Sequence, residues 1–188
     1  MERKIIFATG NQDKMKEIQM ILEDLGIVVS SMKEAGIDVD IVEDGTTFEE
    51  NAMIKAEAIA KLTDAIVLAD DSGLEIDYLN KEPGIYSARY AGTDTSYEIK
   101  NNLLLQRLEG VPDEKRTARF VCAIAAVFPD GSKETVRGTI EGGLDMRLPE
   151  NMDLDMIRFF IFQNTDVQLQ NWTRKRRMNL ATGERHSV

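Results

Sequence analysis

Residues Ala65 to Leu74 read AIVLADDSGL, an apolar run that breaks off at two adjacent carboxylates, a serine and a glycine. Ile66, Val67 and Leu68 suit a strand buried on both faces, and Asp70-Asp71-Ser72-Gly73 has the residue chemistry of a turn that ends it. Two like charges side by side at a strand end are costly unless a positive group lies between them, and a divalent cation is one such group. The alternative is a solvated turn carrying two surface acids. On these residues alone, a strand that delivers an acidic turn to a cleft and an ordinary surface turn stand level.

The chain has 188 residues and 43% apolar content, enough for one domain, or one domain with two lobes, around a sizeable core. No stretch reaches the length of a membrane span, and Met1-Glu2-Arg3-Lys4 leads straight into Ile5-Ile6-Phe7 without a secretion-signal pattern, so a cytoplasmic protein with no membrane partner is expected. Cys122 is the single cysteine, which excludes an internal disulfide and fits a reducing compartment. With one His and one Cys an all-protein zinc site is excluded, and any metal would be a hard, oxygen-preferring ion such as magnesium. A net charge of -10 argues against a nucleic-acid partner. A small phosphorylated ligand needs only a few local cations, and overall charge does not exclude it.

Lys4 to Ala8 reads as a short buried strand, Thr9-Gly10-Asn11 as a tight turn, and Lys14 to Leu25 as a helix with Ile18, Ile21, Leu22 and Leu25 inward. Backbone N–H groups at such a helix start, together with Lys14 in its first turn, make a natural phosphate cradle, although an ordinary strand-to-helix turn has the same pattern. Ile27 to Ser31 is a second strand candidate, followed by an acidic connection through Asp38, Asp40, Glu43 and Asp44. Thr47 and Glu50 form a capping box that opens a helix to about Leu62, with Phe48, Ala52, Ala56, Ile59 and Ala60 as its buried stripe. Asn51 and Lys55, four apart, share another face.

Beyond the acidic turn, Leu74 to Tyr78 reads as a further short strand, and Pro83 to Gly92 as a loop in which Arg89 is able to meet a phosphate or a carboxylate. Ser96 caps a helix to Leu108 with Ile99, Leu103 and Leu104 inward. Thr117 to Phe128 and Lys133 to Glu141 are strands joined at Pro129-Asp130-Gly131-Ser132, with Cys122 packed in the core. Strand-helix-strand-helix-strand followed by hairpins predicts an α/β protein with a mixed sheet.

Four segments, Thr9-Gly10-Asn11-x-x-Lys14, Thr47-Phe48-x-Glu50-Asn51-Ala52-x-x-Lys55-Ala56, Ala69-Asp70-Asp71-Ser72-Gly73-Leu74 and Pro83-Gly84-x-Tyr86-Ser87-Ala88-Arg89, together resemble the inosine triphosphate pyrophosphatase family. The resemblance implies an elongated mixed sheet with flanking helices, two lobes around a central cleft, and a homodimer. It implies Mg2+-dependent hydrolysis of non-standard purine nucleoside triphosphates (ITP, dITP, XTP) to the monophosphate and pyrophosphate. Carried over residue by residue, it assigns triphosphate contacts to Thr9, Asn11, Lys14, Lys55 and Ser72, with Arg89 a further substrate-binding candidate. It gives metal binding to Glu43 and Asp71. Asp71 is the expected base, with Asp70 either sharing that work or supporting the turn.

The resemblance covers residues 1–143. A Gly-Phe-Gly-Tyr-Asp-Pro motif and a late Ser-His-Arg, which in the family bind the purine base, are absent. Composition changes at the same place: residues 1–143 hold 16 Lys+Arg and 27 Asp+Glu, residues 144–188 hold 7 and 6, and only one of the 13 glycines lies in the tail. Re-read from each third codon base, Met152-Asp153 forces Gly and Met156-Ile157 forces Asp. The codons of Asn151 to Arg158 then permit Tyr-Gly-Phe-Gly-Tyr-Asp-Pro, and those of Arg177 to Gly183 permit Asn-Glu-Leu-Ser-His-Arg. The expectation is therefore an incomplete pyrophosphatase domain over 1–143 and a frameshifted tail over 144–188. In that tail the apolar run Met156 to Phe162 is prone to aggregate, Arg174 to Arg177 forms a solvated basic patch, and His186 is not catalytic. The rival to an active enzyme is a catalytically impaired nucleotide-binding or dimerising remnant without its base pocket. An acidic interaction module with no nucleotide role is the third reading.

Overall fold

The computed structural model describes residues 4–23 and 27–143. Leu25 and the whole tail 144–188, with Met156 to Phe162, Trp172, Arg174 to Arg177 and His186, lie outside the described residues. Five strands form one mixed sheet in the order β2-β1-β3-β4-β5, namely β1 (Ile5–Phe7), β2 (Val29–Ser31), β3 (Ile66–Ile76), β4 (Thr117–Val127) and β5 (Lys133–Gly143). Strand β1 runs parallel to both β2 and β3, whereas β3, β4 and β5 are successively antiparallel. Helices α1 (Gln12–Glu23), α2 (Phe48–Ala60) and α3 (Tyr97–Arg107) flank it, so the expected α/β class with a mixed sheet is what the chain forms. Among the described residues no helix is long and apolar enough to cross a membrane.

Strand alternation sorts the core into two layers. Ile66 and Leu68 of β3 pack with Met15, Ile18 and Leu22 of α1, while Val67 and Ala69 pack with Ala52, Ala56 and Ile59 of α2. The run AIVLA is apolar throughout because each face carries a helix.

The acidic segment departs from its expectation. It is not a turn: β3 continues through Asp70, Asp71, Ser72 and Gly73 to Ile76, and the separate strand expected from Leu74 to Tyr78 is the end of this one, followed by a 3-10 turn at Asp77–Leu79. The cause is non-local. Strand β4 pairs with β3 from Val67↔Val127 to Ile76↔Ala118, and that ladder overrides the poor strand preference of Asp, Ser and Gly. On its other side β3 has β1 only from Ile66 to Leu68, and the 82–87 segment from Leu74 onward, where the Leu74 N–H donates to Ser87 Oγ at 2.9 Å and the Ile76 N–H to the Glu82 carbonyl at 3.2 Å. Asp70 to Gly73 occupy the interval between these two neighbours.

Helix α3 is rotated from its expected phase. Leu104 is buried, as expected, but Ile99 and Leu103 face solvent at 53% and 36% exposure, and Lys100 takes the inward place four residues before Leu104. Leu104 and Leu108 pack on Ile76, Leu79 and Ala118, which sets the phase, and the Lys100 ammonium reaches the Ala88 carbonyl at 2.5 Å. Burying a lysine stem while its amine finds a carbonyl is the usual resolution for a long charged side chain. Thr47 caps α2 as expected, its hydroxyl accepting from the Glu50 N–H. The hairpin between β4 and β5 closes with Ser132 N–H donating to Asp130 Oδ1 and Gly131 at φ 81°.

Gly73 is required by space. A Cβ there would lie 2.5 Å from the Gly84 carbonyl oxygen, 2.5 Å from Ser87 Oγ and 3.0 Å from Phe48 Cε1. Gly73→Ala must push the 84–87 backbone away from β3, and we expect a loss of about 1–3 kcal/mol, the usual cost of overpacking. Urea denaturation checks it, and an unchanged midpoint would show that the loop yields freely.

Candidate functional site

Because adjacent residues of a strand point to opposite faces, Asp70 and Asp71 do not share one environment. Asp70 and Ser72 lie on the α1 side. There Lys14, from the first turn of α1, donates to Asp70 Oδ2 at 2.7 Å and to Ser72 Oγ at 3.0 Å. Burial acts to lower the Lys14 amine, but the charge of Asp70 and the hydrogen bond to it outweigh burial and hold it well above the usual lysine value. Lys14 is thus a permanent cation. Cys122, opposite Ser72 in the β4 register, is buried in the core as expected, and burial pushes its thiol up out of the reactive range.

The turn that leads into α1 is locally determined. The Thr9 N–H bonds the Phe7 carbonyl, the Asn11 N–H donates to Thr9 Oγ1 at 3.2 Å, and Asn11 Oδ1 accepts from the Lys14 N–H at 3.2 Å. Asn11 therefore supplies a capping oxygen at the helix start, a role in which Asn is strongly favoured. Thr9, Asn11 and Lys14 lie together on one side of the acidic pair, where the helix start favours an anion.

Asp71 and Gly73 face α2. Lys55 Nζ lies between two carboxylates, 3.1 Å from Glu43 Oε2 and 3.9 Å from Asp71 Oδ1. The Asn51 amide donates to Asp71 Oδ2 at 3.1 Å while its oxygen accepts from the Gly45 N–H at 2.9 Å. Asn51 is fully buried and bonded to Asp71; the sequence placed it in the Thr47 to Ala56 motif and on the Lys55 face of its helix but gave it no role in the site. Its signal was available: an amide within an otherwise alanine-rich inward face costs free energy unless it is satisfied. Burial raises the Asp71 carboxyl above the usual range; Lys55 and the Asn51 hydrogen bond oppose this, and Glu43 and Asp70 add to it. Arg89 comes from the 3-10 turn Gly84–Arg89, reaches the Glu43 carbonyl at 3.4 Å and lies 5.1 Å over the Tyr86 ring. It holds the Glu43 loop by its backbone, where Lys55 holds it by the side-chain carboxylate.

All nine sequence-derived residues thus fall into two groups on either face of one strand: Thr9, Asn11, Lys14, Asp70 and Ser72 on one, Glu43, Lys55, Asp71 and Arg89 on the other. Among the described residues no three His, Cys, Asp or Glu side chains gather as a complete metal cage. Glu43 and Asp71, both oxygen donors around one ammonium, fit a hard ion that takes one or two protein carboxylates and completes its shell with water and substrate phosphate, as magnesium does.

The chain is thus an α/β protein whose central strand is flanked by two lysine–carboxylate groups, one of them beside a helix start. The sequence model of the Ham1 family matches residues 5–177, and the chain belongs to that family. It is 49% identical over 146 residues to the dITP/XTP pyrophosphatase of Clostridium perfringens, covering 74% of this chain and 72% of the relative. The dITP/XTP pyrophosphatase of Bacillus subtilis is 48% identical over 140 residues, with 74% and 71% covered. Among solved structures, the Staphylococcus aureus Ham1 protein superposes with a TM-score of 0.69 at 43% identity over 76% of this chain and 72% of that one. A HAM1 protein from Coxiella burnetii gives 0.71 at 38% identity over 78% and 75%. The Clostridium and Bacillus relatives bear the name of the kind of enzyme that the motif resemblance implied.

The raised Asp71 carboxyl has a consequence for stability. With the folded value above the unfolded one, the native chain binds more protons than the unfolded chain in that window, so stability falls as pH rises through it. Without metal, Asp71→Asn is therefore expected to raise the urea midpoint at pH 7, with the gain shrinking as pH drops towards the ordinary aspartate range. A gain that is the same at both ends would contradict this assignment.

Proposed function

We propose that this chain hydrolyses non-standard purine nucleoside triphosphates, dITP and XTP with ITP, to the monophosphate and pyrophosphate, as a Mg2+-dependent enzyme of nucleotide-pool house-cleaning. The observation that carries the reading is Lys55 held between Glu43 and Asp71 on one face of β3, with Lys14 held by Asp70 and Ser72 on the other. Relatives near half identity named dITP/XTP pyrophosphatase support the substrate class. We further propose a cytoplasmic homodimer, for which α3 offers exposed Tyr97, Ile99 and Leu103 as apolar surface.

Glu43 and Asp71 would hold Mg2+, which when bound supplies positive charge to the phosphate oxygens. The rest falls to the chain itself. Lys14 and Lys55 bind oxygens of the triphosphate from the two faces, and the Thr9 to Asn11 turn orients it at the start of α1. Arg89 holds the Glu43 loop and is a further candidate contact to the substrate. Asp71 orients a water and accepts its proton as the water oxygen bonds to the α-phosphorus; the bond from that phosphorus to the bridging oxygen breaks, and pyrophosphate leaves. Asp70, on the other face and bonded to Lys14, supports this cation rather than the water.

A second reading rests on the missing purine-binding motifs after Gly143: a remnant that binds triphosphate without turnover. We propose that 144–188 is read in a shifted frame, and reading the gene's nucleotides across Gly143 decides it, since codons incompatible with the two motifs would end the idea. For the activity, pyrophosphate release from dITP with Mg2+ is the test. We expect release that falls by about 10²–10⁴-fold in Asp71→Asn, the usual worth of a positioned acid–base group. Tight dITP binding with no release would favour the remnant, and no binding at all would refute both.

A further inference from the structure

The loop that carries Glu43 is laid along the start of α2 by successive side chains of that helix. Glu50 Oε2 accepts from both the N–H and the hydroxyl of Thr46 at 2.7 Å, so the carboxylate end of the capping box reaches one residue further back than the cap itself. One position on, Asn51 takes the Gly45 N–H, and one helical turn beyond that, Lys55 takes Glu43 Oε2. Of these, Asn51 alone also donates a hydrogen bond to β3, while Lys55 meets Asp71 only as an ion pair at 3.9 Å. The Gly45 N–H can only donate, so the amide oxygen must face it, and the NH2 group is thereby aimed at Asp71 Oδ2. Gly45 fits this arrangement closely: a Cβ there would lie 2.7 Å from Asn51 Oδ1 and 2.9 Å from Glu50 Cβ.

We propose that Asn51 is a positioning residue that fixes the Glu43 loop relative to Asp71, and so sets the affinity of this carboxylate pair for a divalent cation. The inference rests on the reading that Glu43 and Asp71 hold the ion. A buried amide needs hydrogen-bond partners whatever its role; those of Asn51 are the Glu43 loop, through Gly45, and Asp71 itself. Asn is a poorer helix former than Ala, and its 0% exposure is tolerated because both ends of the amide are bonded, one to the loop and one to the strand. Groups that orient metal ligands from behind characteristically change affinity or activity by about 10–100-fold when removed.

The test uses the full chain, Mn2+ as probe and inorganic tripolyphosphate as the phosphate component, with free Mn2+ followed by electron paramagnetic resonance. Asn51→Ala removes both bonds. Gly45→Ala keeps the Asn51–Asp71 bond and displaces the loop from the amide at a half-buried loop position, which covers the case in which Asn51→Ala does not fold. Mn2+ binding is expected to weaken about tenfold or more in each folded variant. Tripolyphosphate binding without metal should stay within about twofold, because the side chains of Thr9, Asn11, Lys14 and Lys55 are all retained, and Gly45 amide exchange should quicken. A loss of thermal stability with unchanged Mn2+ affinity in the folded variants would overturn the inference while leaving the metal assignment standing. A parent chain that takes up no Mn2+ would overturn both.

Discussion

The alternation of β3 is the constraint on which the site depends. Had Asp70 and Asp71 stood in a turn, their charges would have competed for one cation; held in an extended strand by β4, they are sent to opposite faces. Each then meets a lysine from a different helix, Lys14 from α1 and Lys55 from α2. A strand placed between two helices thereby presents two cations and a raised carboxyl in a short interval that neither β1 nor the 82–87 segment covers.

The rest of the fold serves to hold that interval in place. The two core layers, one under α1 and one under α2, fix the rotation of β3 about its own axis, and with it which acid faces which lysine. Gly73, without a side chain, lets the 84–87 backbone and Phe48 approach, which brings Arg89 to the Glu43 carbonyl. The buried ends of Lys100 and Asn51 are both bonded, Lys100 to Ala88 and Asn51 to Gly45 and Asp71. Raising the Asp71 carboxyl costs stability that an apolar residue would not, a burden found where a group must stay reactive.

Much of this was legible in the chain. The helix start at Thr47, the hairpin at Asp130-Gly131 and the strand at Ile66 to Leu68 follow from local chemistry, and the structure has all three. What was not legible depends on partners distant in sequence. Asp-Asp-Ser-Gly reads as a turn until β4, some fifty residues on, pairs with it. The phase of α3 reads from Ile99, Leu103 and Leu104 until Ile76 and Ala118 keep Leu104, add Leu108 and leave Ile99 and Leu103 to solvent. The nine candidate residues came from motif order, not from geometry, and motif order carries no information on which face of the strand each would occupy. Asn51 escaped for a related reason: helical periodicity marks apolar faces, and a buried amide on such a face is seen only when its two partners are in place.

The central claim, that adjacent acids serve separate lysines, is tested most directly by double-mutant cycles among Lys14→Met, Lys55→Met, Asp70→Asn and Asp71→Asn, read as urea-unfolding free energies of the metal-free chain. Coupling of about 0.5–3 kcal/mol is predicted for Lys14 with Asp70 and for Lys55 with Asp71, as for groups in direct contact, with the cross pairs additive to within about 0.5 kcal/mol. Cross pairs that couple as strongly as the matched ones would mean that the two acids share one pocket, and would contradict the account.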